Sequence, residues 1–255
     1  MSVSELKKSV REPGADEFIE QRAELACAFR WAYRLDMHEA VANHFSLSVS
    51  DDGGRFLINP DGRHFSRIRA SELILVDAGD PDTMNRPDAP DPTAWGLHGA
   101  IHRNCPNARC VLHLHPTYAT VLASLADSSM YPIDQNTARF FNRVAVDEGF
   151  DGMAFEEEGE RCSRLLADKP IMMMGNHGVL SVAPTVDEAF DAIYYFERAA
   201  RNLVIAYGTQ KELKILSDEI AEKTARQWED FSGLANKHFR ELKAILDEEE
   251  PDYRE

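Results

Sequence analysis

The sequence predicts an α/β domain. Segments with apolar residues at helical spacing alternate along the chain with short apolar segments of strand length. Clusters of Gly, Pro and Asp separate them, and neither an internal repeat nor a low-complexity linker divides the 255 residues. The expectation is one domain over 1–255, with a flexible N-terminal arm at 1–14 and a charged helical C-terminal arm at 209–255.

From Asp16 to about Leu35, Phe18, Leu25, Ala28, Phe29 and Ala32 recur at helical spacing, so this stretch is read as an amphipathic helix. His44-Phe45-Ser46-Leu47-Ser48-Val49-Ser50 alternates, as a half-buried strand does. Asp51-Asp52-Gly53-Gly54 turns the chain back into Arg55–Asn59, which makes a hairpin. Pro60-Asp61-Gly62 breaks it, and Leu73–Val76 is a further strand. Residues 78–92 form a Pro- and Asp-rich loop, after which Asp91-Pro92 starts a helix running to about Arg103. Arg109-Cys110-Val111-Leu112-His113-Leu114-His115-Pro116 is a short buried strand stopped by proline. Ala119–Leu125 is helical, and Ile171–Met174 is a buried strand ending in Gly175-Asn176-His177-Gly178. Val179–Val182 continues extended. Thr185-Val186-Asp187-Glu188 reads as a capping box, opening a helix that carries Phe190, Ile193, Phe196 and Leu203 and stops at Gly208. Residues 209–246 are helical by pattern but strongly charged.

Composition narrows the function. A hydrophobic share of 44% supplies a large core, and 44 acidic against 28 basic residues give a net charge of −16. Such a surface argues against nucleic-acid and anionic-membrane partners. Asp247-Glu248-Glu249-Glu250 is read as a solvated tail, and so is the Glu156-Glu157-Glu158 run as solvated surface. Four cysteines without C-x-x-C spacing read as free thiols in a reducing compartment. No signal peptide or membrane span is apparent, so a soluble cytoplasmic protein is expected.

Residues two apart on a strand point to one face, so His113 and His115 project together. Such a pair either binds a divalent metal or serves as two core histidines bonded to backbone carbonyls. A third ligand decides between these. His177, between Gly175 and Gly178 at a strand end, is placed to supply it, unless it only packs the turn. Three imidazoles with an open position make a catalytic type of metal site.

Leu97-His98-Gly99-Ala100-Ile101-His102-Arg103, Pro106, Val111-Leu112-His113-Leu114-His115, Gly175-Asn176-His177-Gly178-Val179-Leu180 and the Glu188-Ala189-Phe190 helix follow one another at a distinctive spacing. In these blocks, from about Glu24 to about Tyr207, the sequence resembles the class II aldolase/adducin family. The resemblance implies a three-layer αβα architecture around a central mixed β-sheet, and a homotetramer with sites between subunits. It also implies a divalent metal on His113, His115 and His177, zinc by preference and manganese as the alternative.

The resemblance fails at one position. Aldolases and dehydratases of the family carry a proton-shuttling glutamate four residues before the equivalent of His98, and here that residue is Ala94. A methyl group moves no protons. In this respect the chain is similar to adducin heads, which lack the acid and serve cytoskeletal structure. The family's phosphate-binding positions fall at Ala40, Asn43, Asp61, Gly62 and Thr93. Asn43, Gly62 and Thr93 keep their role, whereas Ala40 lacks a hydroxyl and Asp61 repels phosphate. A sugar phosphate is therefore not expected, and Arg63 with His64 either holds a carboxylate instead or is simply an exposed loop pair.

Among the other polar residues, His98 and His102 share a helix face and are read as core residues ahead of ligands. Glu197 is expected to pair with Arg201 four residues on. Tyr118, close after the metal strand, is the candidate phenolic proton donor, and Gln135 and Asn136 are candidates to face a ligand. The function that follows is a divalent-metal-dependent lyase, of aldolase or decarboxylase type. It would cleave a carbon–carbon bond of a small non-phosphorylated hydroxy- or keto-acid through a metal-stabilised enolate. Decarboxylation removes no C–H or O–H proton, so it suffers least from losing the glutamate. The alternatives are a non-catalytic adducin-like scaffold and a metal-dependent binding module.

Overall fold

The structure is a computed structural model that describes residues 17–80, 82–152, 157–231 and 233–255, the side chain of Glu157 excepted. The arm expected at 1–14, the helix start at Asp16 and the solvated Glu156 lie outside these residues. The described elements are α1 (Ile19–Arg34), β1 (His44–Ser48), β2 (Arg55–Ile58), β3 (Ile74–Asp77), α2 (Pro92–Asn104), β4 (Cys110–Leu114), α3 (Thr117–Ala123) and α4 (Gln135–Arg139). They continue with β5 (Val144–Asp147), α5 (Glu157–Leu166), β6 (Ile171–Met174), β7 (Gly178–Ala183), α6 (Val186–Gly208), α7 (Asp218–Asp230) and α8 (Leu234–Glu249). No described helix is long and apolar enough to cross a membrane.

The strands form one mixed sheet in the order β3-β2-β1-β4-β7-β6-β5. Every neighbouring pair is antiparallel except β5 and β6. One face packs Phe45, Leu47, Leu112 and Leu114 against Leu25 and Phe29 of α1, Phe190 and Phe196 of α6, and Phe239 of α8. On the other face, Val111, Met172, Met174 and Leu180 pack against Leu97 and Ile101 of α2 and Cys162 and Leu166 of α5. The result is three layers, helix on sheet on helix. Each fully buried Leu, Phe or Met in them contributes roughly 1.5–3 kcal/mol of transfer free energy.

The expectation of a half-buried β1 is corrected. All five of its residues are buried, because α2 covers the polar face that alternation had assigned to water. The C-terminal acidic stretch is exposed as expected at Asp247, Glu248 and Glu249, but it is the end of α8, anchored by ion pairs at Asp247, Glu249 and Glu250, rather than a tail. Glu250 and Asp252 bind the Arg30 guanidinium at 2.9 and 3.0 Å, and Asp247 accepts the hydroxyl of the fully buried Tyr253 at 2.7 Å. The Arg30 and Arg34 partners of Glu250 lie on α1, more than two hundred residues away in the chain, where no local charge pattern reveals them, whereas Asp247 pairs with the nearby Arg254. The Thr185 capping box does not close, since the Thr185 hydroxyl donates to Glu188 at 3.0 Å instead of accepting from the backbone.

Asp91 caps α2 as its position predicts, accepting from the Thr93 and Ala94 amides at 2.8 and 3.2 Å. Helix α2 then lies against α5 through glycine. A Cβ built at Gly159 would stand 2.4 Å from the Gly96 carbonyl oxygen, so nothing larger fits there. This close crossing brings the start of α5 toward the end of β6.

Candidate metal centre

Alternation along β4 sends Cys110, Leu112 and Leu114 into one core and Val111 and His113 to the opposite face. His115 follows at the strand end, just before Pro116. The β6–β7 turn supplies His177. Asn176 takes a left-handed conformation (φ 55°), and the His177 amide donates to the Met174 carbonyl at 3.0 Å. Gly178 makes room for the assembly, because a Cβ there would lie 2.4 Å from His115 Cδ2 and 2.7 Å from the Leu114 carbonyl oxygen.

The three rings are mutually equidistant, with centroids 4.9 Å apart in every pair. One nitrogen from each lies within 4.8 Å of the others. His113 Nδ1–H donates to the Val179 carbonyl at 3.2 Å, and His115 Nδ1–H donates to Glu39 Oε2 at 2.6 Å. Both rings therefore present Nε2 as the lone pair, and these two atoms stand 3.1 Å apart. Anchoring of the outer nitrogen is how ligating histidines are fixed in tautomer and orientation. Burial pushes His113 well below the usual imidazole range and His177 down to about 4, so both rings are neutral at neutral pH and free to donate their lone pairs. Three imidazole nitrogens suit a borderline divalent ion such as zinc.

Sequence reasoning missed two carboxylates. Glu39 lies in an irregular loop with no periodic signal, and its side chain is largely exposed. Glu158 belongs to the run expected on the surface. It is instead buried, with Oε1 3.8 Å from His177 Nδ1, and burial raises its pKa. The tight α2–α5 crossing at Gly159 puts it there, and a run of three glutamates gives no hint of that.

The remaining candidates are distributed as follows. Asn43 is buried beneath Glu39, accepting its amide at 2.6 Å, and Asn43 Nδ2 has no partner among the described residues. Gly62 forms a left-handed turn (φ 67°) with open space where a Cβ would be. Arg63 is held by Glu72, with Nε 3.2 Å from Oε2, and His64 by His38 at 3.3 Å and Ser66 at 2.8 Å. Their polar groups are thus engaged within the protein. The Thr93 hydroxyl donates to its own cap, Asp91. The Ala94 methyl is buried among Phe56, Ile58, Ile74 and Val76. Tyr118 lines a hollow of about 310 Å³ with Tyr194, Glu197 and Arg201, which the three histidines do not line. Glu197 does not form the expected pair with Arg201. Its carboxylate accepts the Tyr118 and Ala119 amides at 3.0 and 2.8 Å, because the free N–H groups opening α3 are nearer donors. Gln135 is exposed and, like Asn136, sits in α4 rather than in the histidine cluster.

His98 and His102 are fully engaged in the interior. His44 Nδ1 lies 2.7 Å from His98 Nε2, and His98 Nδ1 meets the Ser46 hydroxyl. Ser46 Oγ lies 2.7 Å from His102 Nε2, and His102 Nδ1 is 2.9 Å from the Ala108 carbonyl oxygen. His44 pairs with His113 across β1 and β4, and their rings stack at 4.8 Å and 27°.

Comparison with known proteins agrees with the sequence resemblance. Residues 23–204 match the class II aldolase and adducin N-terminal domain. An adducin-related protein of Schizosaccharomyces pombe is 29% identical over 98% of this chain and 81% of its own length. Decarboxylase NovR of Streptomyces niveus is 27% identical over 84% of this chain and 81% of its own length. The crystal structure of an aldolase II superfamily protein from Pseudomonas syringae superimposes with a TM-score of 0.81 at 29% identity, covering 93% of this chain and 96% of that one.

Proposed function

The chain belongs to the class II aldolase and adducin family, and from that premise we propose that it is a divalent-metal-dependent lyase acting on a small, non-phosphorylated hydroxy- or keto-acid. The observation that carries this reading is the convergence of His113, His115 and His177, with the outer nitrogens of the first two already bound to Val179 and Glu39. A divalent ion held by these rings, zinc before manganese, supplies Lewis-acid polarisation of a substrate oxygen and so favours release of a carbon–carbon bonding pair.

The chain's own groups define the rest. Burial keeps the His113 and His177 rings neutral, and Glu39 orients His115. The apolar setting of Ala94 leaves α2 without a proton-transferring carboxylate at that position. Cleavage by loss of carbon dioxide needs no such group, and one relative bears the name decarboxylase. Tyr118 as proton donor from its separate hollow, and Asn43, Gly62, Arg63 and Thr93 as substrate contacts, with Arg63 exchanging Glu72 and Thr93 exchanging Asp91 for the substrate, belong to the same reading. So do a single domain over 1–255, a cytoplasmic location and a homotetramer. The loss of the acid, together with the likeness to an adducin-related protein, supports a second reading as a non-catalytic scaffold.

Metal analysis of the purified chain and a panel of hydroxy- and keto-acids, assayed for carbon dioxide or aldehyde release, separate the two. A stoichiometric ion lost in His115→Ala, with turnover of a panel member, is the expected result. Unchanged metal content in His115→Ala overturns the ligand set, and a metal-loaded chain silent on the panel favours the scaffold.

A further inference from the structure

The buried hydrogen-bonded chain behind the metal centre has only one consistent direction. The Ala108 carbonyl can only accept, so His102 Nδ1 carries the proton at that end. His102 Nε2 is then an acceptor and takes the Ser46 hydroxyl proton. Ser46 Oγ in turn accepts from His98 Nδ1–H, which leaves His98 Nε2 to accept from His44 Nδ1–H. This logic requires neutral rings, each with one donor and one acceptor. Burial supplies that condition: His44, His98 and His102 are 4%, 0% and 4% exposed, and no described carboxylate stands among their hydrogen-bond partners to hold a charged ring.

The end of the relay is His44 Nε2, left as a bare lone pair. No described residue donates to it, and it is not among the sealed, partnerless atoms of the interior. It belongs to a ring stacked on His113, the innermost of the three histidines. His44 does not join the three-nitrogen cluster itself.

We propose that His44 is a specificity-determining residue of the centre, its Nε2 accepting a hydrogen bond from a hydroxyl of the ligand. The site would thereby select a hydroxy-acid over the corresponding keto-acid or ether. This rests on the metal-dependent reading above and narrows its substrate class. An acceptor that cannot turn into a donor discriminates sharply, because a keto oxygen or an ether brings a second lone pair against it. His44 cannot switch without reversing every bond back to Ala108, which has no proton to give.

Two measurements test this. In the metal-free, ¹⁵N-histidine-labelled chain, two-bond proton–nitrogen correlations report each tautomer. His44, His98 and His102 are all expected as Nδ1–H forms, and an Nε2–H His44 overturns the proposal whether or not the chain binds metal or turns over a substrate. In the zinc-loaded chain, glycolate and lactate are titrated against their O-methyl ethers, with zinc stoichiometry recorded in parallel. The hydroxy-acids are expected to bind at least about ten-fold more tightly and to shift the His44 Nε2 resonance. His44→Phe, which keeps an aromatic ring on His113, is expected to lose that preference while retaining zinc. Absence of a preference in the wild-type chain overturns the proposal. Absence of zinc binding overturns the metal-dependent reading instead, and the tautomer measurement still decides the role of His44.

Discussion

Replacing Gly178 with alanine tests whether the three-histidine geometry depends on the β7 backbone passing so close. The new methyl would stand 2.4 Å from His115 Cδ2 and 2.7 Å from the Leu114 carbonyl oxygen. The carbonyl is fixed by the β4–β7 ladder, in which Leu114 pairs with Val179, so the imidazole has to yield. Restoring an ordinary contact displaces the ring by about 1 Å. Metal sites tolerate about 0.2 Å in their ligand distances, so zinc affinity is expected to fall by at least about ten- to a hundred-fold. Overpacking is expected to cost a further 1–3 kcal/mol, roughly, of folding stability. Competition with a chromophoric chelator reads the affinity, and calorimetry of the metal-free protein reads the stability. Gly208→Ala is the control, since nothing lies within 4 Å of a Cβ there. A Gly178→Ala protein that binds zinc as tightly as the wild type would refute the reasoning.

Other expectations follow from the same geometry. Glu39→Gln is expected to weaken zinc binding about ten-fold or more with an unchanged melting temperature, because the carboxylate orients His115 yet is largely exposed; a chelator competition checks it. Glu197→Ala is expected to cost about 1–3 kcal/mol in urea denaturation, since it strips two amides of their acceptor, whereas Arg201→Ala stays within about 0.5 kcal/mol. The depressed His44, His102 and His177 stabilise the metal-free fold fully above about pH 6.5, and that contribution is lost as the pH falls toward about 4. The unfolded chain takes up protons first, so each ring contributes a slope of up to about 1.4 kcal/mol per pH unit within that window. The raised Glu158 and Glu197 carboxyls act in the opposite sense. Urea midpoints between pH 8 and 4.5 are expected to fall, and a flat profile contradicts the assignment.

The strand that carries His113 and His115 was legible because its pattern is local: two histidines at strand spacing, stopped by a proline. The third histidine was marked by a turn between flanking glycines, and the family resemblance was needed to favour it as a ligand over a packing residue. The hairpin and the Asp91 cap follow from short-range signals of the same kind and are found, whereas the αβα layering was implied by the family resemblance and is matched by the family's folds. Partners brought in from elsewhere in the fold were not legible. His44 and Ser46 read as the wet face of an alternating strand until α2 is seen to cover them. Glu158 read as solvent-facing until α5 meets α2 at a glycine. Glu250 read as tail until Arg30 is found beneath it. Each error assigned to water a polar group whose protein partner lies far along the sequence, and periodicity carries no information about such pairs.

The two anchored histidines differ in what anchors them. The carbonyl behind His113 belongs to the middle of the sheet and cannot change without rebuilding a strand. The acid behind His115 is a replaceable side chain on the rim, open to dissolved ions and to mutation. If the centre holds a cation as proposed, its affinity has an adjustable screw on the outside of the molecule. On that reading, substitution of Glu39 would tune the centre from tight to labile with the core untouched.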